Sequence, residues 1–351
     1  MQAFTYEPQK SRVIFGSGTV AAIPEEAGRL GLKRLLVLST PEQADQAETV
    51  AKSAGQLVAG IFSKAAMHTP TEVTENAMEV MKSLKADGIL AIGGGSTIGL
   101  GKALSVRTGK HQIAIPTSYA GSEMTPILGE TANGKKVTRR DPRILPASVI
   151  YDVDLTLSLP WPMTVTSAMN AMAHAVEALY AKDRNPVVEV LAERGIAAFG
   201  QALRTLKTTP DDLAARSDAF FGAWACGTCL GQVSMALHHK LCHVLGGSFN
   251  LPHAATHTVI LPHAAAFNGS DGRLAAVNRA LGGTQPGQAL YDLARELDAP
   301  LALSALGFAD ADVPRATDIV MENPYWNPRS FDAEDITSIL SRALHGDRPE
   351  R

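Results

Sequence analysis

The chain of 351 residues lacks the features that mark several large classes of protein. It has three cysteines, an odd number that does not suggest a disulfide framework. Its net charge is -3, so no overall attraction draws it to nucleic acid or to an anionic membrane. It has no signal-like N-terminus and no apolar run long enough to cross a bilayer. We therefore expect a cytoplasmic protein that binds neither nucleic acid nor membrane.

Two of the cysteines, Cys226 and Cys229, form a C-x-x-C pattern, which in other settings binds zinc or carries redox chemistry. No second pair accompanies them, and the surrounding sequence FFGAWACGTCLGQ is typical of a buried helix. We interpret both as buried free thiols.

The order of strand-like and helix-like segments predicts two domains of different class. Apolar strands at 34–39, 55–62, 88–92, 111–116 and 147–152 alternate with helical segments, as in an α/β domain. After LTLSLP the segments become long, alanine-rich and helically periodic, for example 165–181, 187–206 and 211–236. We predict an α/β domain over residues 1–157 and an all-helical domain over 158–351.

A glycine-rich turn follows the strand GILAI and opens a helix. Its residues are Gly93, Gly94, Gly95 and Ser96. Glycines allow backbone N–H groups to approach a phosphate closely, and a helix N-terminus adds partial positive charge. The pattern is neither G-x-G-x-x-G nor a Walker lysine loop, so a tight turn that needs glycine for packing is the alternative.

Three further segments predict contacts to a dinucleotide. Ser39 ends a strand where dinucleotide-binding domains often place an acidic residue. If this is such a domain, we expect both phosphorylated and non-phosphorylated dinucleotides to be accepted; an ordinary strand-end turn is the alternative. Thr117 and Ser118 follow the strand HQIAIP and offer hydroxyls for the pyrophosphate or the nicotinamide amide. Lys136 lies in the basic run GKKVTRRDPR, which is either a solvated loop or a patch that attracts an anion.

Seven of the ten histidines are concentrated in two segments at helical spacing. Asn170 and His174 are four residues apart and share a helix face, as do His239 and His243. His253 follows after a glycine-containing turn. A lone buried histidine is usually structural, but this concentration predicts a metal site or a site of proton transfer. An amide at position 170 makes a poorer ligand for a divalent metal than a carboxylate.

The combination of GGGS with a lysine six residues on, IPTSYAGSE, N-x-x-x-H and H-x-x-x-H-x9-P-H resembles the iron-containing, or group III, alcohol dehydrogenases. The resemblance covers nearly the whole chain. It implies a dehydroquinate synthase-like fold: a Rossmann-like dinucleotide-binding domain followed by an all-α catalytic domain. It also implies a homodimer, and it matches the family's metal ligands, an aspartate and three histidines, to Asn170, His174, His239 and His253. His243 matches a histidine near the nicotinamide, a candidate proton relay.

Two departures from the family pattern resemble one of its branches, the maleylacetate reductases. Gly99 and Asn170 stand where the family has aspartates, and the segments LSTPEQ, MHTP and ENPYWNP point the same way. This resemblance implies NAD(P)H-dependent reduction of the C=C bond of maleylacetate, a small dianion, to 3-oxoadipate in the breakdown of aromatic compounds. Since charge spreads over an enolate in that reaction, we expect imidazoles to suffice and no metal to be required.

Other functions remain open at the level of sequence. The first is a metal-dependent alcohol or polyol dehydrogenase in which Asn170 is a tolerated ligand. A lyase of the dehydroquinate synthase type lacks support, because the acidic cage is missing. A protein that binds nucleotide without turnover is disfavoured by the GGGS turn, the Thr117–Ser118 loop and His243.

Overall fold

The computed structural model describes residues 3–132 and 135–350 of the chain. The chain divides into two compact units. The sheet unit is Pro8–Leu159, and the helical unit is Pro160–Arg351 together with Met1–Glu7. A parallel sheet with helices in the first unit and helices throughout the second confirm the predicted fold class.

The sheet unit contains six parallel strands in the order β1-β8-β5-β4-β2-β3. The four inner strands are buried along their whole length, so the sequence shows unbroken apolar runs there and no alternation. Two further strands, β6 and β7, form a separate antiparallel ribbon. The strands are β1 (Arg12–Gly16), β2 (Leu35–Leu38), β3 (Val58–Phe62), β4 (Gly88–Gly93), β5 (Gln112–Pro116), β6 (Ile127–Ala132), β7 (Lys135–Arg140) and β8 (Ser148–Asp152).

The path of the chain reverses direction between β2 and β4. From β2 the chain continues to β3 at the sheet edge, whereas from β4 it continues to β5 on the other side. Open parallel sheets bind ligands beyond the carboxyl ends of the strands that flank such a reversal. The helices of this unit are α1 (Ile23–Arg29), α2 (Ala44–Ala54), α3 (Thr71–Ser83) and α4 (Gly95–Thr108).

The basic run at 135–140 forms strand β7, so its interpretation as a solvated loop was wrong. Arg139 donates a hydrogen bond of 3.1 Å to Glu130 of β6, and Arg107 of α4 forms an ion pair of 2.7 Å with the same carboxylate. The side chains at 137–140 are exposed, so their like charges stay hydrated within a paired strand. Lys136 lies in this strand, and its side chain is outside what the structure describes.

The helical unit includes a central helix, α5, which is buried from Ser167 to Tyr180. Its near-complete lack of charge is typical of a helix that packs on all sides. A second apolar cluster joins α8, α9, α12 and α13. The helices are α5 (Trp161–Tyr180), α6 (Pro186–Thr208), α7 (Leu213–Gln232), α8 (Leu237–Ser248), α9 (His253–Asn268), α10 (Ala275–Leu281), α11 (Pro286–Glu296), α12 (Val313–Glu322) and α13 (Ala333–His345).

The segment predicted as one helix over 211–236 ends at Gln232. Val233 is extended, and Asp183 accepts hydrogen bonds from the backbone N–H and the hydroxyl of Ser234. The chain then turns, and α8 begins at Leu237. This break matters because it directs the first backbone N–H groups of α8 toward α5.

The cysteines Cys226 and Cys229 are buried and free, which confirms their interpretation, and Cys242 is buried and free as well. Burial also raises their pKa values, so they remain protonated. No single helix of the described part of the chain is long and apolar enough to cross a membrane. Helices α7 and α8 reach that length and apolar character only together, and the pair is bent by 96°.

Candidate active site

The helical unit brings together the histidines that the sequence singled out from α5, α8 and α9. The ring of His239 lies 5.2 Å from that of His174 and 5.9 Å from that of His243, measured between centroids. His257 lies 5.0 Å from His239 and 4.3 Å from His253. All four predicted catalytic histidines therefore belong to one connected group, with His257 linking His253 to it.

Asn170 lies one turn before His174 on α5, and both side chains are buried. Asn170 Oδ1 and His174 Nδ1 have no hydrogen-bond partner among the described residues. Leaving a buried polar atom unpaired costs on the order of 1–3 kcal/mol. Two such atoms on adjacent turns of one helix are available to contact a ligand.

Glu177 is a site residue that the sequence analysis missed. It is fully buried and accepts a 2.6 Å hydrogen bond from His239 Nδ1. It also accepts bonds from the backbone N–H groups of Ala236 and His238, at 3.1 and 2.9 Å, and from the Tyr180 hydroxyl at 3.3 Å. Glu177 thus orients the His239 ring and leaves its Nε2 lone pair for a ligand. Spacing could have found it, because 170, 174 and 177 lie on one face of α5.

The environment of the cluster keeps its fully buried imidazoles neutral near pH 7. Burial, reinforced by the neighbouring imidazoles, lowers the pKa of His174, His239 and His257 well below its usual range. Burial and His239 lower the pKa of His238 to about 4. Burial raises the pKa of Glu177, against the opposing effects of His238 and the backbone donors. A neutral imidazole can donate from one ring nitrogen and accept or ligate with the other.

The ring nitrogens of the histidine cluster and Asn170 Oδ1 are the atoms that could hold a divalent metal ion. Ring nitrogens of His238, His239 and His257 lie within 4.8 Å of one another, a different trio from the predicted His174, His239 and His253. His238 is committed elsewhere, because its Nε2 lies 3.2 Å from the carbonyl oxygen of His257. Ring nitrogens of His239 and His257, with the unpaired Asn170 Oδ1, could hold a dication. All of these groups are neutral, because the carboxylate of Glu177 is hydrogen-bonded to His239. Such a site fits an ion, but weakly.

His263, one of the seven concentrated histidines, belongs to different surroundings. Burial lowers its pKa to about 4, and the nearby charges that act on it are those of Arg342 and Asp347. No ring contact joins it to the cluster within the described part of the chain.

Tyr325 is a second residue that the sequence analysis did not assign, although it lies in the quoted segment ENPYWNP. Its hydroxyl is 3.1 Å from His243 Nδ1, so the pair shares a hydrogen bond. The ammonium of Lys240 lies 5.6 Å from the centroid of its ring. Burial raises the pKa of Tyr325, so its hydroxyl keeps its proton.

In the sheet unit, the predicted cofactor contacts meet beyond the carboxyl ends of β2, β4 and β5. Ser39 follows β2, the Gly93–Ser96 turn joins β4 to α4, and Thr117 with Ser118 follows β5. The Thr117 N–H donates to the Gly93 carbonyl at 3.2 Å. These segments flank the reversal between β2 and β4.

Local packing explains why glycine is needed in this turn. Gly93 has a φ of 151°, and a Cβ there would lie 2.5 Å from Thr97 Oγ1 and 2.8 Å from Gln43 Oε1. A Cβ on Gly95 would meet nothing within 4 Å, so the start of α4 is open to a ligand. Gln43 was missed by the sequence analysis; its Nε2 donates to Thr117 Oγ1 at 2.7 Å.

Ser39 is fully buried, and its hydroxyl donates a 2.9 Å hydrogen bond to Ser63. Position 39 itself therefore carries a buried hydroxyl, and the first carboxylate after β2 is that of the exposed Glu42, which is hydrogen-bonded to Thr40. A carboxylate at position 39 would repel the 2'-phosphate of NADPH, whereas a hydroxyl does not.

The sequence and the fold of this chain are similar to those of known proteins. The sequence model of the iron-containing alcohol dehydrogenases matches residues 10–153, and that of the C-terminal part of the same family matches residues 164–344. The chain is 51% identical to a maleylacetate reductase of Rhizobium sp. (strain MTP-10005), with all of both chains covered.

Two solved structures give the same result. The maleylacetate reductase of Agrobacterium tumefaciens is 51% identical with a TM-score of 0.96, over 99% of this chain and 100% of that one. An iron-containing alcohol dehydrogenase of Corynebacterium glutamicum is 36% identical with a TM-score of 0.94, over 98% and 97%. The family consists of NAD(P)-dependent oxidoreductases. The chain therefore belongs to the iron-containing alcohol dehydrogenase family.

Proposed function

We propose that this chain is a maleylacetate reductase, which uses NADH or NADPH to reduce the C=C bond of maleylacetate to 3-oxoadipate. The observation that carries the proposal is the full-length identity of 51% to the Rhizobium enzyme of that name. The side chains of the site are in keeping with the same chemistry, since they offer several neutral hydrogen-bonding groups and an amide at position 170.

We further propose a division of roles between the two parts of the chain. Residues 1–157 bind the dinucleotide through Ser39, the Gly93–Ser96 turn, Thr117, Ser118 and Lys136, and residues 158–351 bind the substrate through Asn170, His174, His239, His243 and His253. The open start of α4 supports the first assignment, because its N–H groups can hold a phosphate. The unpaired Asn170 Oδ1 and His174 Nδ1 support the second.

The bound dinucleotide supplies the hydride. When hydride adds to the alkene carbon distal to the ketone, negative charge develops on the ketone oxygen as an enolate. Ring N–H groups of the imidazole cluster can donate hydrogen bonds to that oxygen. The neighbouring carbon then takes a proton, for which His243, held by Tyr325, is suited. Glu177 keeps His239 in one orientation throughout.

The proposal requires no metal. If an ion binds, the family resemblance matches Asn170, His174, His239 and His253 to its ligands, the geometry adds His257 as a donor close to His239, and the ion would polarise the ketone. The enolate spreads its charge over oxygen and carbon, so hydrogen bonds from imidazoles meet the same need. The homodimer and the cytoplasmic location that the family resemblance and composition predict are part of this proposal.

The decisive experiment combines NADH consumption with identification of the product from maleylacetate. Formation of 3-oxoadipate, with the ketone intact, supports the proposal. A product in which the ketone is reduced and the C=C bond remains would refute it. The trio of imidazoles favours one competitor, a metal-dependent polyol dehydrogenase. That competitor would oxidise glycerol or propanediol after addition of zinc or iron.

A further inference from the structure

The proposed substrate carries two carboxylates, and an imidazole is not a permanent cation near pH 7. A dianion in a partly desolvated site needs a cation or several N–H donors. The basic run at 135–143 belongs to the sheet unit, whereas Lys240 is a cation of the helical unit.

Lys240 has the properties of such a cation. It lies on α8 between His239 and His243, and only 8% of the residue is exposed. Its ammonium makes no hydrogen bond and no ion pair with the residues that the structure describes. The exposed carboxylate of Glu322 attracts it from beyond ion-pair distance. An ammonium without a hydrogen-bonding partner among the described residues is available to bind an anion.

Tyr325 connects Lys240 to the reacting end of the site. The Lys240 ammonium lies over the ring face, 5.6 Å from the centroid, while the hydroxyl at the ring edge bonds His243. One half-buried aromatic ring thus sets the separation between a cation and a proton donor. A six-carbon dianion presents the same sequence of groups: a carboxylate, a saturated carbon, and then the enone.

We propose that Lys240 binds the carboxylate on the saturated arm of the substrate and that Tyr325 positions Lys240 and His243 for that contact. Lys240 and His243 contact different parts of the Tyr325 ring, its face and its hydroxyl. We therefore assign to Lys240 the carboxylate that lies farther from the alkene, which is the one on the saturated arm. The proposal rests on the proposed function and adds the residue that selects for a dianion.

The test compares two substrates in one set of variants. Cis-acetylacrylate keeps the enone and its carboxylate but lacks the second one. Lys240→Met should raise the KM for maleylacetate by about 10- to 100-fold, the effect of losing a charge-assisted hydrogen bond, and should leave the KM for NADH unchanged. The KM for cis-acetylacrylate should change less than about twofold. Lys240→Arg should restore most of the affinity, and Lys182→Met, at an exposed position of the same unit, is the matched control.

Tyr325→Phe separates positioning from binding. It keeps the ring beneath Lys240 and removes the hydroxyl that bonds His243, so kcat should fall while the KM for maleylacetate stays within about twofold. The result that overturns the inference is an equal effect of Lys240→Met on both substrates, or no effect on either. If wild-type protein does not reduce maleylacetate at all, the proposed function fails first, and the inference fails with it.

Discussion

Gly99 stands at a position where the family pattern has an aspartate, and the structure gives a steric reason. A Cβ at Gly99 would lie 2.6 Å from Thr69 Oγ1, and no other residue comes within 4 Å. Thr69 belongs to the segment MHTP, in which His68 and Thr69 have φ values of 64° and 47°. This left-handed turn places the buried Thr69 against α4. The residues at positions 69 and 99 are therefore predicted to depend on each other.

The change in the free energy of unfolding caused by Gly99→Ala follows from two opposing effects. Overpacking against Thr69 costs about 1–3 kcal/mol, whereas replacing a helical glycine by alanine gains about 1 kcal/mol. We expect a net loss of about 0–2 kcal/mol in the wild-type background. In the Thr69→Ala background the clash is gone, so the same change should stabilise the protein by about 1 kcal/mol. The predicted coupling is then about 1–3 kcal/mol.

Urea denaturation of the four proteins in this cycle measures the coupling directly. Gly28→Ala is a matched control, because Gly28 is an exposed residue of helix α1 and a Cβ there would meet nothing within 4 Å. The control should stabilise the protein to the same small extent in both backgrounds. Equal effects of Gly99→Ala with and without Thr69→Ala would refute the steric argument.

Three further predictions concern buried polar groups. Glu177→Gln turns an amide nitrogen toward two hydrogen-bond donors, so stability should fall by about 2–5 kcal/mol; a loss below about 1 kcal/mol in urea would contradict the network around Glu177. Asn170→Asp adds a negative charge to the donor set and should increase bound zinc or iron in metal analysis; unchanged content would show that the charge at 170 does not control binding. Burial lowers the pKa of Lys102 to about 7, with the charge of Glu123 opposing the shift. The folded protein then binds fewer protons than the unfolded chain between pH 7 and about 10, so stability should rise with pH across that window, and Lys102→Met should flatten the rise. An unchanged slope in the variant would assign the effect to another group.

The sequence was most informative where the local pattern reflects the final environment. The inner strands are buried on both faces, so their apolar runs predicted them directly. Helical spacing correctly paired Asn170 with His174 and His239 with His243. Strand β7 was missed because its charges favour a loop, and only pairing with β6 reveals the strand. The break after Gln232 was also missed, since the apolar pattern continues through it.

The roles of Glu177 and Tyr325 at the site could not be predicted from the sequence for a similar reason. Glu177 lies on the predicted helix face, but its role depends on N–H groups that arrive from α8, about 60 residues later. Tyr325 joins His243 across 82 positions of sequence. Contacts of this kind are set by how the helices pack, and local spacing carries no signal for them.

The central claim is that imidazoles, without a metal, support reduction of the C=C bond. The most direct measurement is the rate of NADH oxidation with maleylacetate by protein that has been treated with chelator, alongside metal analysis of the same sample. We expect an unchanged rate in protein that retains only a small fraction of one metal ion per chain. A rate that disappears on chelation and returns with added iron or zinc would contradict it.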